Sequence, residues 1–198
     1  MGDIMRSIGF SSKDLPDGFD DRARIAAWQD FLAAAYAPHQ VSALHDRPFS
    51  QALWGGRFDD NPAPVDVLRF SGSVSRMSWT TRGQSTPRAT HFVLVFNRLP
   101  TALTLNQLGR EVRLDSGSVA VASCTEPGQL CYADPHDFLA VAIDQIRLRE
   151  LVDRVEDLVA GRCRTVRRCG TCGDISKFCQ RSKMPGKSRN YSRISRRP

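Results

Sequence analysis

A chain of 198 residues, 41% of them hydrophobic, is long enough for one ordinary domain with a buried core and too short for two of comparable size. No apolar run approaches the ~18 residues of a membrane span, and the first ten residues, MGDIMRSIGF, lack the apolar stretch of a secretory signal, so a soluble, cytoplasmic protein with no membrane partner is expected. The formal charge of +7 is unevenly spread: residues 161–198 hold 12 Lys or Arg against the single acid Asp174, whereas residues 1–160 carry 16 basic and 20 acidic groups. A body with a net charge of −4 has no general attraction for phosphate backbones, so the high isoelectric point belongs to the tail and says nothing about the fold.

Residues 1–9 are unpatterned and are expected to be a disordered lead. From residue 20 to 36 the apolar positions Ile25, Trp28, Leu32 and Tyr36 recur at helical spacing, with Asp20 or Asp21 as cap, six alanines favouring helix, and Pro38 marking the exit. Short runs separated by Gly, Pro, Asn and Asp then predict strands at 49–58, 65–71, 73–80, 91–97, 102–106, 110–114, 118–123 and 137–143. Gln107-Leu108-Gly109 turns one hairpin and Asp115-Ser116-Gly117 the next. About eight short strands at regular spacing suggest a closed or nearly closed antiparallel barrel or a jelly roll. After residue 143 the period is helical again, and Ile146, Leu148, Leu151, Val152, Val155, Leu158 and Val159 form one apolar stripe opposite a charged face. That stripe can pack on the barrel or on a second copy; dimerisation through Leu148, Leu151, Val152, Val155, Leu158 and Val159 is the expectation.

Specific words give this order of parts a likeness. They are Asp14-Leu15-Pro16, Arg22 and Trp28 in the first helix, the strand pair running from Arg69 to Arg76, the run His91 to Phe96, and the hairpin Asn106-Gln107-Leu108-Gly109-Arg110-Glu111-Val112-Arg113-Leu114-Asp115-Ser116-Gly117-Ser118. Together they resemble the N-terminal ligand-binding and dimerisation domain of AraC/XylS-type transcription regulators over roughly residues 8–160. One departure is Asn97-Arg98-Leu99-Pro100, where the family commonly has a Gly. The resemblance implies a mainly β, cupin-like antiparallel barrel or jelly roll with one N-terminal helix and one C-terminal helix, a cavity for a small-molecule effector, and a homodimer. It also implies a helix-turn-helix half of about a hundred residues, absent here, so this chain is not expected to bind DNA specifically.

Enzyme chemistry finds no foothold. The four histidines, His39, His45, His91 and His136, contain no His-x-His pair of the kind a metal-dependent cupin enzyme needs, and no nucleophile elbow, phosphate-binding loop or dinucleotide turn is present, so no metal, cofactor or catalytic residue is assigned. Binding is the better role. Alternation in 91–97 puts His91, Val93, Val95 and Asn97 on one face, and if that face looks inward His91 and Asn97 are candidate effector contacts. Met77 and Trp79 read as core, and Cys124 and Cys131 as small buried hydrophobes. The tail, 161–198, has three readings: a zinc module on Cys163, Cys169, Cys172 and Cys179, a basic arm for nucleic acid, or the favoured one, a disordered Cys/Arg/Ser-rich end read out of frame. The alternative for the whole is a stand-alone small-molecule-binding cupin-like protein.

Overall fold

Period-2 alternation in this sequence becomes two antiparallel sheets packed face to face, in a computed structural model that describes residues 5–36, 38–43, 46–58, 65–80, 91–132, 135–152 and 154–163. All of these lie in one compact unit, Met1–Thr165. The strands in chain order are β1 (Met5–Ser11), β2 (His39–Ala43), β3 (Gln51–Phe58), β4 (Val65–Gly72), β5 (Val74–Trp79), β6 (His91–Asn97), β7 (Leu103–Gln107), β8 (Arg110–Leu114), β9 (Val119–Ser123), β10 (Gly128–Tyr132), β11 (His136–Asp144) and β12 (Arg162–Cys163). One sheet runs β1-β3-β4-β11-β6-β9-β12 and the other β2-β5-β10-β7-β8. The fold is mainly β and cupin-like, as expected, with two separate sheets among the described residues rather than one continuous barrel.

The first helix, α1 (Asp21–Ala35), begins where the sequence places it: Asp20 caps it by accepting the Ala23 N–H at 2.7 Å. Its apolar stripe covers one end of the sandwich. Trp28 and Leu32 are fully buried, and the Trp28 ring lies 4.9 Å from Phe10 and 6.2 Å from Phe70. Arg24 secures the helix to the preceding turn by donating to the Ser12 and Phe19 carbonyls.

Four expectations are corrected. The lead is a strand from Met5 onward: β1 pairs along its whole length with β3, and Phe10 is buried against α1. Its own side chains barely alternate in hydrophobicity, so its order comes from hydrogen bonds to the open edge of β3. Strands β2 and β10 were not expected, because HQVSA and GQLCY each carry little apolar signal; both are held by neighbours on β5. The boundary at residue 161 is also displaced, since Arg162 and Cys163 pair with Ala120 and Val119.

The closing segment departs from its expectation as well. The single expected helix is two, α2 (Gln145–Leu151) and α3 (Val155–Leu158), interrupted at Val152, which is extended. A straight helix over 145–158 would be about 20 Å long. The break instead bends the chain back onto the first sheet, where Leu148, Val155 and Val159 are buried against Phe92 and Val121, with Val152 and Leu158 partly buried beside them. Burying Val155 and Val159 gives about 1.5–3 kcal/mol each, more than the helical hydrogen bonds forgone. Leu148, Val155 and Val159 of the stripe are therefore covered by the chain's own sheet. Leu151's side chain lies outside the described residues, and Ile146, 71% exposed, stays in solvent.

Candidate functional site

Between the two sheets lies a cavity of about 100 Å³. Its origin is a register of small residues. In the first sheet Asp66, Ala142, Val93 and Ala122 stand side by side on adjacent strands, and so do Leu68, Ala140, Val95 and Ala120. Alanines reach one carbon into a gap of ~10 Å that larger side chains would fill, so space remains above β11 and β9. Phe70 and Phe138, stacked at 4.8 Å, close one end, and Met77, Trp79 and Leu130 of the second sheet form the opposite wall. Leu32 and Tyr36 from the end of α1, with His39 at the start of β2, complete the lining.

The Trp79 wall is fixed. Its indole N–H donates to the Ser123 carbonyl at 3.1 Å, and the buried Gln107 amide donates to that same carbonyl and to the Glu126 carbonyl, both at 2.8 Å. The Ser123 N–H donates back to the Gln107 side-chain oxygen Oε1 at 2.8 Å, so Gln107 clips the second sheet to the first. Trp79 lies directly on Gly128, where a Cβ would come within 2.3 Å of the ring. Glycine at 128 is what lets the indole lie flat.

One end of this largely apolar cavity is polar. Arg57 and Asp66 form a bidentate ion pair there, Nε to Oδ1 at 2.7 Å and Nη2 to Oδ2 at 2.5 Å, with side chains 13% and 4% exposed. Two of the four hydrogen-bonding directions of the carboxylate are thereby used. His91 and Cys124 stand on the same lining, the Cys124 N–H donating to the His91 carbonyl at 2.9 Å. Burial pushes the Cys124 thiol up to about 12, so it is a neutral thiol and a poor nucleophile.

Of the two expected contact residues, His91 lines the cavity together with Val93 and Val95, so the mixed face of that strand does look inward. Asn97 does not. It is buried at the far end of β6, donating to the Thr101 and Leu114 carbonyls at 2.8 and 2.9 Å and accepting from the Leu99 N–H. Its amide closes the turn formed by Asn97-Arg98-Leu99-Pro100. The Arg57–Asp66 pair was missed, although a signal existed: Asp66 is in phase with Leu68 and Phe70, and Arg57 with Leu53, so two opposite charges interrupt apolar faces on adjacent strands. Met77 and Trp79 are buried as expected and also line the cavity. His45 and the cysteines beyond 163 lie outside the described residues; among those described, no three His, Cys, Asp or Glu gather as metal ligands, and no helix is long and apolar enough to cross a membrane.

The model of the AraC-binding-like domain matches residues 28–171. The chain belongs to that family. No curated protein matches it in sequence. Among solved structures, the crystal structure of the AraC-like transcriptional activator CuxR is similar, with a TM-score of 0.54 at 13% identity over 76% of this chain and 52% of that one. This AraC-binding-like domain thus spans about half the length of that activator. A Cupin 2 conserved barrel domain protein from Salinispora arenicola matches at a TM-score of 0.34 and 14% identity, over 57% of this chain and 90% of that one.

Proposed function

We propose that this chain is the ligand-sensing part of an AraC-type transcription regulator, holding a small-molecule effector between its sheets and binding it without transforming it. The observation that carries this reading is the double role of β6 and β9. His91, Val93, Val95 and Ala122 face the cavity, while Phe92, Leu94 and Val121 on the reverse face carry α2 and α3. Alternation makes the same backbone the cavity floor and the seat of the closing helices, so displacing one side displaces the other. Family membership and the likeness to an AraC-like activator support the regulatory role. A homodimer is part of the proposal, formed through a surface other than Leu148, Val155 and Val159, which the chain buries within itself.

The test is a thermal-shift screen against a panel of small metabolites, followed by hydrogen exchange. A compound that raises the melting temperature, is recovered chemically unchanged, and loses its effect in a folded Ala140→Leu variant supports the reading. It should also slow amide exchange within residues 145–160. Stabilisation that survives Ala140→Leu, or conversion of the bound compound to a product, overturns it.

A further inference from the structure

From the lining of this cavity we infer that its ligand is a single-ring, predominantly apolar molecule bearing one neutral hydrogen-bond donor, a hydroxyl, seated against Asp66. The inference rests on the cavity being the effector site and adds the chemical class of the occupant. Size sets the ring: about 100 Å³ is of the same order as the ~150 Å³ of an apolar cavity that admits benzene. Shape agrees, because Phe70, Phe138, Met77 and Trp79 supply flat or polarisable walls against which a ring can stack.

The head group follows from the polar end. Arg57 and Asp66 neutralise each other there, so within the described lining the formal charges cancel, and His39 and His91 are the other titratable groups of the imidazole type. A ligand carboxylate would meet the Asp66 carboxylate in a low-dielectric space, and a ligand ammonium would add a charge beside Arg57; each would be stripped of water without a dedicated counter-charge. A hydroxyl has no such penalty. Asp66 is acceptor-only and keeps lone pairs beyond the two engaged by Arg57, so the ligand must bring the proton, and a neutral O–H brings it without charge. A ring with no polar group would leave that lone pair facing hydrocarbon.

Four probes that share a methyl-substituted ring separate these cases: toluene, p-cresol, p-toluate and 4-methylbenzylamine, each titrated into the full chain by calorimetry at pH 7. The expected result is p-cresol binding at least ten-fold more tightly than the other three. In the double variant Arg57→Met with Asp66→Leu, which replaces the pair by apolar groups, p-cresol should fall to within two-fold of toluene while toluene still binds. Ala142→Val, which leaves both charges in place and narrows the space beside Asp66, keeps the test open should the double variant fail to fold. It should weaken p-cresol at least five-fold and toluene by less than two-fold. Equal binding of toluene and p-cresol to the native chain, or tightest binding of either charged probe, overturns the head group and leaves the effector cavity standing. Binding of none of the four overturns the ring and the head group, while the effector cavity stands or falls on the metabolite screen.

Discussion

Leu108 sits at φ 54° and Gly109 at φ 69°, the paired left-handed conformations of a two-residue hairpin turn. Glycine adopts this without strain, whereas leucine incurs about 1–2 kcal/mol and, 46% exposed, recovers little by burial. Leu108→Asn should therefore stabilise the domain by about 1 kcal/mol, read as a higher urea midpoint with unchanged slope; an unchanged or lower midpoint contradicts the assignment of strain. His136 is a second residue with a measurable consequence. It is buried beside Tyr132, its ring nitrogen Nε2 3.2 Å from the Gln51 amide nitrogen, a contact in which the amide donates and the neutral ring accepts. Burial lowers its pKa to about 4, against the opposing pull of the Val74 carbonyl and Asp137. The unfolded chain takes up this proton near pH 6.5 and the folded chain only near 4, so the stability His136 contributes is complete above 6.5 and is lost as pH falls toward 4. Between pH 7 and pH 5 the loss should be roughly 2 kcal/mol. Denaturant unfolding of the native chain and of His136→Gln at both pH values isolates it, and equal pH dependence in the two would exclude His136 as the source.

At the scale of elements, legibility follows how much of an element's order is written in its own side chains. The first helix, the β7–β8 hairpin and the inward face of β6 carry strong periodicity or turn chemistry and are where the sequence puts them. Strands β1, β2 and β10 owe their order to partners far along the chain, which no local window contains. The lining of the cavity beyond β6 was not legible for the same reason: it depends on Ala142, Val93 and Ala122 falling into one register. The closing segment misled because its helical period is faultless, yet the sheet's outer face rewards a bend. Arg110 holds that bend, its guanidinium donating to the carbonyls of Glu156, Asp157 and Val159 at 3.4, 3.4 and 3.1 Å and so satisfying the open C-terminus of α3. Arg110→Ala should leave the sheets intact, raise amide exchange in 155–160, and cost about 1 kcal/mol. Val155→Asp puts a charge among Phe92, Val121 and Leu148 and should cost several kcal/mol. If sedimentation instead shows a folded monomer made from a native dimer, the stripe is a seam between copies after all.

For the whole molecule, the distribution of charge decides what it can do with nucleic acid. Residues 1–160 carry a net −4, so the sheets and the helices around the cavity repel a phosphate backbone on balance, and the net positive charge lies beyond them. Residues 166–198 alone hold ten Lys or Arg with one Asp, a composition that attracts any duplex through counterion release and provides no base-reading pattern evident in the sequence. The 198-residue chain should accordingly bind unrelated duplexes with equal affinity, and log K should fall with log salt at a slope of roughly −0.9 for each phosphate neutralised. A chain ended after Thr165 keeps every strand described here, including β12, and should lose the association altogether while its circular dichroism and melting transition persist. Mobility shifts with two duplexes of equal length and different sequence, at low and physiological salt, measure both expectations. A preference for one duplex at physiological salt, retained by the chain ended after Thr165, would place sequence recognition in the β domain and remove the division of labour between a sensing body and a separate DNA-reading part on which the regulatory proposal depends.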